Sequence, residues 1–258
     1  MAGGNWSKNF SPSVIIYLGD KMTLLEILRA EKAKKISGGI YHKLQIEFTY
    51  HSNRIEGNKL TYDQTRYIFE TKALGVDEVI SLDDVIETAN HFRCVDYVID
   101  HAMDDLNQDF IKTLHKLLKA GTSQADEDWF AVGDYKRVPN EVGGRETTAP
   151  EDVEKEMQKL LEAYACIAEK SFEDLVEFHY KFESIHPFQD GNGRVGRLIL
   201  LKEALKNNIV PFIIDEDLKY FYYRGLANYK DEKGYLMDTC LTAQDKFKKY
   251  LDYFRIKY

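Results

Sequence analysis

Apolar residues recur at helical spacing along almost the whole 258-residue chain, and the rhythm breaks clearly in two places. Phe110, Leu114, Leu117 and Leu118 share one face of 108–120, and Gly121 stands where that helix needs an end. Val153, Met157, Leu160, Leu161 and Tyr164 form the stripe of another helix, with Pro150 suited to its first turn. Phe172, Leu175, Val176, His179 and Phe182 carry the same period up to Ile185. Thr61 and Gln64 form a capping-box pair that opens a helix through Phe69. Ser81 opens a further one, with Asp83 and Asp84 in the first turn, where the helix dipole favours anions. Leu44, Phe48 and Ile55 mark a helix from 44 to 56 that Gly57 terminates. These patterns predict an all-α helical bundle.

The first break is 133–148, where β-branched residues flank Pro139-Asn140 and Gly143-Gly144. It reads as a short β-hairpin or extended flap. The second is 186–193, inside His186-Pro187-Phe188-Gln189-Asp190-Gly191-Asn192-Gly193-Arg194-Val195-Gly196-Arg197. Pro187 resists continuation of the preceding helix, because its ring clashes and it lacks an N–H. Gly191 and Gly193 permit a tight turn whose amides open a helix with Leu198, Leu201 and Leu205 as its stripe. Amides at a helix start bind anions. Arg194 and Arg197, three residues apart, project from one face and can clamp further phosphates. Asp190 is a hard oxygen ligand suited to Mg²⁺ shared with phosphate oxygens. His186 can serve as a general base near neutral pH. Taken singly, these are an ordinary cap, turn and solvated face; Phe188 is best read as an anchor to the core. Together they match phosphoryl or nucleotidyl transfer.

Composition narrows the partners. A net charge of -8 argues against nucleic acid, which wants a basic face. Three scattered cysteines, Cys94, Cys166 and Cys240, show neither zinc spacing nor a disulfide framework, which suits a reducing cytoplasm. Residues 1–6 lack a signal pattern and no run approaches about 18 apolar residues, so no membrane partner is expected. The seven histidines include no pair at i, i+4, which disfavours zinc chemistry.

The segment from His186 to Arg197 resembles the Fic motif, His-x-Phe-x-Asp/Glu-Gly-Asn-Gly-Arg-x-x-Arg, at every defined position. The resemblance extends over roughly 40–235. It implies a Fic-fold helical bundle with a β-hairpin flap and an N-terminal helical extension. The implied division is an extension over 1–100 carrying an inhibitory helix at about 43–57, a Fic core over 101–240 and a C-terminal helix over 241–258. The implied activity is AMP transfer from ATP to Ser, Thr or Tyr of a target protein, the chain itself included. By the same resemblance His186 deprotonates the target hydroxyl and Asp190 holds Mg²⁺. Gly191, Asn192 and Gly193 cradle phosphates, Arg194 and Arg197 complete the clamp, and Val195 and Gly196 belong to the same nucleotide-binding turn. Fic-fold relatives that phosphorylate or transfer phosphocholine tend to depart from the motif, and this chain does not. A binding module with an idle motif is the alternative of a different class.

A second segment, Ser52-Asn53-Arg54-Ile55-Glu56-Gly57, resembles the Fic inhibitory motif, Ser/Thr-x-x-x-Glu-Gly/Asn. Ser52 and Glu56 are i, i+4 neighbours. A carboxylate at the negative end of a helix makes most sense if a cation meets it. In the relatives that cation is the second motif arginine, here Arg197, and in some of them the same Glu supports AMP removal. The resemblance also puts a flap beside the nucleotide, here 136–148 with Val142, Gly143, Gly144 and Arg145 nearest. It puts a Tyr pair at the base pocket, here Tyr222 and Tyr223, with Leu226 and Lys230 following. A homodimer covering the inhibitory helix would fit a regulated enzyme.

Overall fold

A computed structural model of the chain describes residues 22–75 and 79–258. Residues 1–21 of the expected N-terminal extension, together with 76–78, lie outside the described residues. The described residues form ten α-helices and one two-stranded hairpin, in accord with the all-α expectation. The helices are α1 Leu24–Ala33, α2 Ile40–Ile55, α3 Tyr62–Thr71, α4 Leu82–Asp100 and α5 Gln108–Lys119. Then come β1 Glu141–Val142 and β2 Arg145–Glu146, followed by α6 Pro150–Ala165 and α7 Phe172–Ile185. The chain ends with α8 Asn192–Lys206, α9 Lys219–Asn228 and α10 Gly234–Tyr253.

Local chemistry sets many of these ends. Thr61 and Gln64 close a reciprocal capping box on α3, and Ser171 with Asp174 does the same on α7. Pro150 begins α6, as its fixed φ and missing N–H favour. Ser81 stands at the start of α4, but its hydroxyl makes no capping bond. Asp83 in that first turn instead reaches across the fold to accept from the backbone N–H and hydroxyl of Ser123.

The central element is α8, against which α1, α2, α4, α5 and α7 all pack. Leu198, Leu201 and Leu205 predict one buried stripe, yet the helix is buried all round from Arg194 to Leu205. Enclosure on every side explains the buried pair Lys202–Glu203, 2.7 Å apart. Lys202 also donates to the carbonyls of Ala102 and Asp104, so no charge is left without partners. A single apolar cluster runs from Leu24 on α1 to Ile256 beyond α10. Helices α1, α2 and α4 are therefore part of the same core as the motif helix. The C-terminal helix begins at Gly234, seven residues before the boundary drawn from sequence. Gly225 lets α9 lie directly on it, since a Cβ there would meet the Leu236 backbone at 2.7 Å.

Candidate active site

The motif loop joins α7 to α8. His186 closes α7 in the left-handed region (φ 53°), its amide donating to Phe182 O at 2.9 Å. Asn192 then staples the loop: its amide nitrogen donates to Phe188 O, and its oxygen accepts from Phe188 N, each at 2.8 Å. Phe188 is fully buried and stacks on His115 with ring centroids 4.0 Å apart. His115 Nδ1 accepts from Gly133 N–H at 3.0 Å, so its Nε2–H donates to Asp190 O at 3.2 Å. Burial and the nearby Lys119 push the His115 imidazole down to about 3, which keeps this tautomer neutral. Gly191 (φ 82°) turns the chain into α8. The next amides, of Asn192, Gly193 and Arg194, begin a helix and have no intrahelical carbonyl to meet.

On one side of that helix start is a four-charge network. Asp190 Oδ2 accepts from Lys119 Nζ at 2.8 Å and lies 3.5 Å from Arg194 Nη2, while Oδ1 accepts from Gly191 N–H. Glu87 of α4 bridges Lys119 and Arg194, at 2.5 Å from each. Burial alone would raise the Asp190 carboxyl, but Arg194, Lys119 and the Gly191 amide outweigh it and hold it at about 2.

On the other side stands the end of α2. Arg197 donates through Nε to Ser52 Oγ at 3.0 Å, and through Nη2 to Ser52 O at 2.9 Å and Glu56 Oε1 at 2.7 Å. Glu56 caps the C-terminus of α2, where Arg197 compensates the helix dipole. Its carboxylate also overlies Gly193: a Cβ on that glycine would collide with Glu56 Oε1. Glu56 thus occupies the space in front of the α8 amides.

His186 Nδ1 is buried, and the ring faces the backbone carbonyl of Glu183 one turn earlier. Burial, with the Lys136 charge adding to it, pushes its imidazole down to about 4, so it is a neutral base at physiological pH. The flap is tied to this loop at its root. Lys136 N donates to Pro187 O at 2.9 Å, Asn140 Nδ2 donates to Phe188 O at 3.0 Å, and Lys136 Nζ bonds Asn140 and Thr147. Beyond the root, Gly143 (φ 58°) and Gly144 (φ 74°) make the two-residue turn that joins β1 to β2. Arg145 Nη1 fixes the hairpin tip to Ala227 O of α9 at 2.8 Å.

The residues singled out by sequence therefore divide. His186, Asp190, Gly191, Gly193, Arg194, Arg197, Ser52 and Glu56 gather around the start of α8. Several assigned to the nucleotide face inward instead. The Asn192 side chain is engaged by Phe188, and Val195 is fully buried in the core, so each can offer a nucleotide only its backbone. Gly196 lies beneath Glu183 and His179. Tyr222 is 1% exposed with its hydroxyl 2.6 Å from His179 Nε2, whereas Tyr223 is 40% exposed. Val142, Gly143, Gly144 and Arg145 are on the exposed hairpin, Leu226 is half-buried and Lys230 is exposed. Sequence reasoning missed Glu87, Lys119 and Glu183. The signal that could have raised Lys119 is its place at the last turn of the strongly amphipathic α5, on the face that carries Leu118 inward.

Residues 105–203 match the Fic/DOC family model. The protein adenylyltransferase Fic of Nematostella vectensis is 29% identical over 211 residues, 78% of this chain and 48% of its own length. The protein of that name from Culex quinquefasciatus is 32% identical over 197 residues, 74% of this chain and 38% of its own. The chain thus spans less than half the length of these relatives. A Fic domain containing signaling protein from Bacteroides thetaiotaomicron has a crystal structure that aligns with a TM-score of 0.66. The identity there is 26%, over 89% of this chain and 90% of that one.

Proposed function

Because this chain carries a domain of the Fic/DOC family, we propose that it transfers AMP from ATP to a Ser, Thr or Tyr hydroxyl of a target protein. The observation that carries this reading is the helix start itself, where a neutral His186, the Asp190 carboxylate and both arginines surround unpaired amides. Phosphate oxygens fit those amides and guanidinium groups. His186 takes the proton from the target hydroxyl. The hydroxyl oxygen then bonds the α-phosphorus as the bond to the bridging oxygen breaks, and pyrophosphate leaves. The fixed donors neutralise the charge that develops.

No cluster of three or more metal-ligating side chains occurs among the described residues. A single carboxylate is nonetheless the usual protein share of a Mg²⁺ site that forms together with a nucleotide. Asp190 is held ionised, and its side chain is 41% exposed. Asp190 would hold the Mg²⁺, which when bound would neutralise phosphate charge. Tyr223, with Leu226 and Lys230, supplies the exposed side of the adenosine pocket, and the open edge of the hairpin receives the target segment by strand addition.

Glu56 is the brake. It engages the arginine needed by the terminal phosphate and stands before the amides of α8. ATP then binds weakly or with its α-phosphorus misplaced. The same carboxylate can orient a water for AMP removal, so both directions belong to one site. The test is Glu56→Gly incubated with ATP labelled in the α or the γ position. Protein label from α alone supports AMP transfer, label from γ makes the enzyme a kinase, and no label leaves a binding module. In the same background His186→Ala should reduce labelling by ~10²–10⁴-fold, the usual share of a general base.

A further inference from the structure

Lys119 is the cation of the four-charge network that comes from outside the motif. It is the last residue of α5, where a positive side chain suits the negative end of the helix, and its side chain is 1% exposed. The chain around it is firmly held. Asn90 of α4 donates to the carbonyls of Leu118 and Ala120 at 3.0 and 2.8 Å, and Thr122 Oγ1 donates to Lys119 O at 3.0 Å. The ammonium lies 5.5 Å from the centre of the Phe130 ring. From there it reaches Asp190 Oδ2 at 2.8 Å and Glu87 Oε1 at 2.5 Å. Asp190 is thus gripped at three points: its carbonyl by His115, Oδ1 by the Gly191 amide and Oδ2 by Lys119. With two acids and two cations, the network has no net charge to offer a further cation.

We propose that Lys119 is a positioning residue for Asp190 that makes metal capture depend on the nucleotide: from inside the fold it fixes the carboxylate, and its charge keeps a bare divalent cation off until phosphates arrive. A carboxylate has about four lone-pair sites, so Asp190 keeps room for a metal ion on its exposed edge. An ion there stands close to a fixed ammonium in a partly buried place, where repulsion is poorly screened. A triphosphate reverses the balance, because it brings negative charge and further oxygen ligands of its own. Without the ammonium, the Asp190 and Glu87 oxygens that share it would face each other across the space it fills. Two acids would then outweigh Arg194 alone, and two carboxylates around one gap suit a divalent cation. Loss of Lys119 should therefore strengthen metal binding in the absence of nucleotide, the reverse of what loss of a packing residue does.

This inference rests on the AMP-transfer reading, but its first test leaves ATP out. Mn²⁺ is the probe, and its free fraction is read from the electron paramagnetic resonance signal as the full chain is titrated. The wild type should bind it weakly, and Lys119→Met should bind it ~10-fold or more tightly. Lys119→Arg, which keeps the charge, should stay near the wild type. Adding Asp190→Asn to Lys119→Met should cancel the gain. No gain in Lys119→Met, or a gain that survives Asp190→Asn, overturns the proposal. Tight binding of bare Mn²⁺ by the wild type, lost in Asp190→Asn, overturns it whether or not a Lys119 variant folds. In Glu56→Gly, a non-hydrolysable ATP analogue should draw in Mn²⁺ that neither protein nor analogue binds alone. A gain in Lys119→Met with no such uptake would overturn the nucleotide reading and leave Lys119 as the barrier to bare metal.

Discussion

The two motif arginines sit one turn apart on α8 with side chains equally buried, at 4% exposure, yet they are held in different ways. Arg194 belongs to a closed set of two acids and two cations, with Glu87, Lys119 and Asp190 drawn from α4, α5 and the motif loop. Glu87 is itself mostly buried, at 13% exposure. Arg197 is matched by one carboxylate at a helix end, 28% exposed, and by Ser52. Among the described residues Arg194 Nε has no partner, and Arg197 also faces the Tyr222 hydroxyl. The difference teaches which contact can be given up. Removing an acid from the first set strands buried charge, whereas the partly exposed Glu56 can exchange Arg197 for water.

Breaking the first side should have the largest effect. Glu87→Ala leaves two buried cations sharing one acid, and should destabilise the fold by about 3–5 kcal/mol. For a chain of this size that is a fall in Tm of roughly 6–20 °C, read by calorimetry. An unchanged Tm would erase the distinction between the two sides. Glu56→Gln should behave in the opposite manner. Protein labelling by ATP should rise ~10-fold or more as a charged hydrogen bond to Arg197 is lost. Its Tm should fall much less than that of Glu87→Ala, because the pair is partly exposed.

A smaller release is expected from Ser52→Ala, which removes one acceptor from Arg197 while the Ser52 carbonyl and Glu56 remain. Labelling should rise ~2–5-fold, on the scale of one ordinary hydrogen bond. A gain larger than that of Glu56→Gln would move the brake from the carboxylate to the hydroxyl. The smallest effect concerns His186, between the two sides. Its pKa is depressed, so the base is already neutral above about 4. In Glu56→Gly, kcat/KM should therefore vary less than twofold between pH 6 and 8 on account of His186 and fall only as pH drops toward 4. A decline centred near 6.5 would show an unperturbed, solvated imidazole instead.

Much of the site was legible because it is local. The loop from His186 to Arg194 is continuous in sequence, and Pro187, Gly191 and Gly193 dictate its turns through backbone geometry alone. Glu56 was found by resemblance, since nothing in the spacing of α2 says which helix its C-terminus will meet. Lys119 and Glu87 were illegible for the same reason. They lie 71 and 103 residues before Asp190, and each looks like an ordinary charged helix residue. Tyr222 shows the converse case: the resemblance puts it at the base pocket, and packing buries its hydroxyl against His179 and Arg197.

By itself, then, the sequence determined where helices start and turn. A capping box, a first-turn proline or a Gly-Gly hairpin acts within a few residues and needs no distant partner. It also determined that free helix-start amides, a histidine and two cations would share one helix start. Tertiary structure alone decided that α8 would be enclosed on every side, that Arg194 would be locked into the core, and that Arg197 would be held by a partly exposed carboxylate. Those outcomes depend on which helices pack together, and charge pairing across such contacts is set by three-dimensional proximity that residue spacing does not encode.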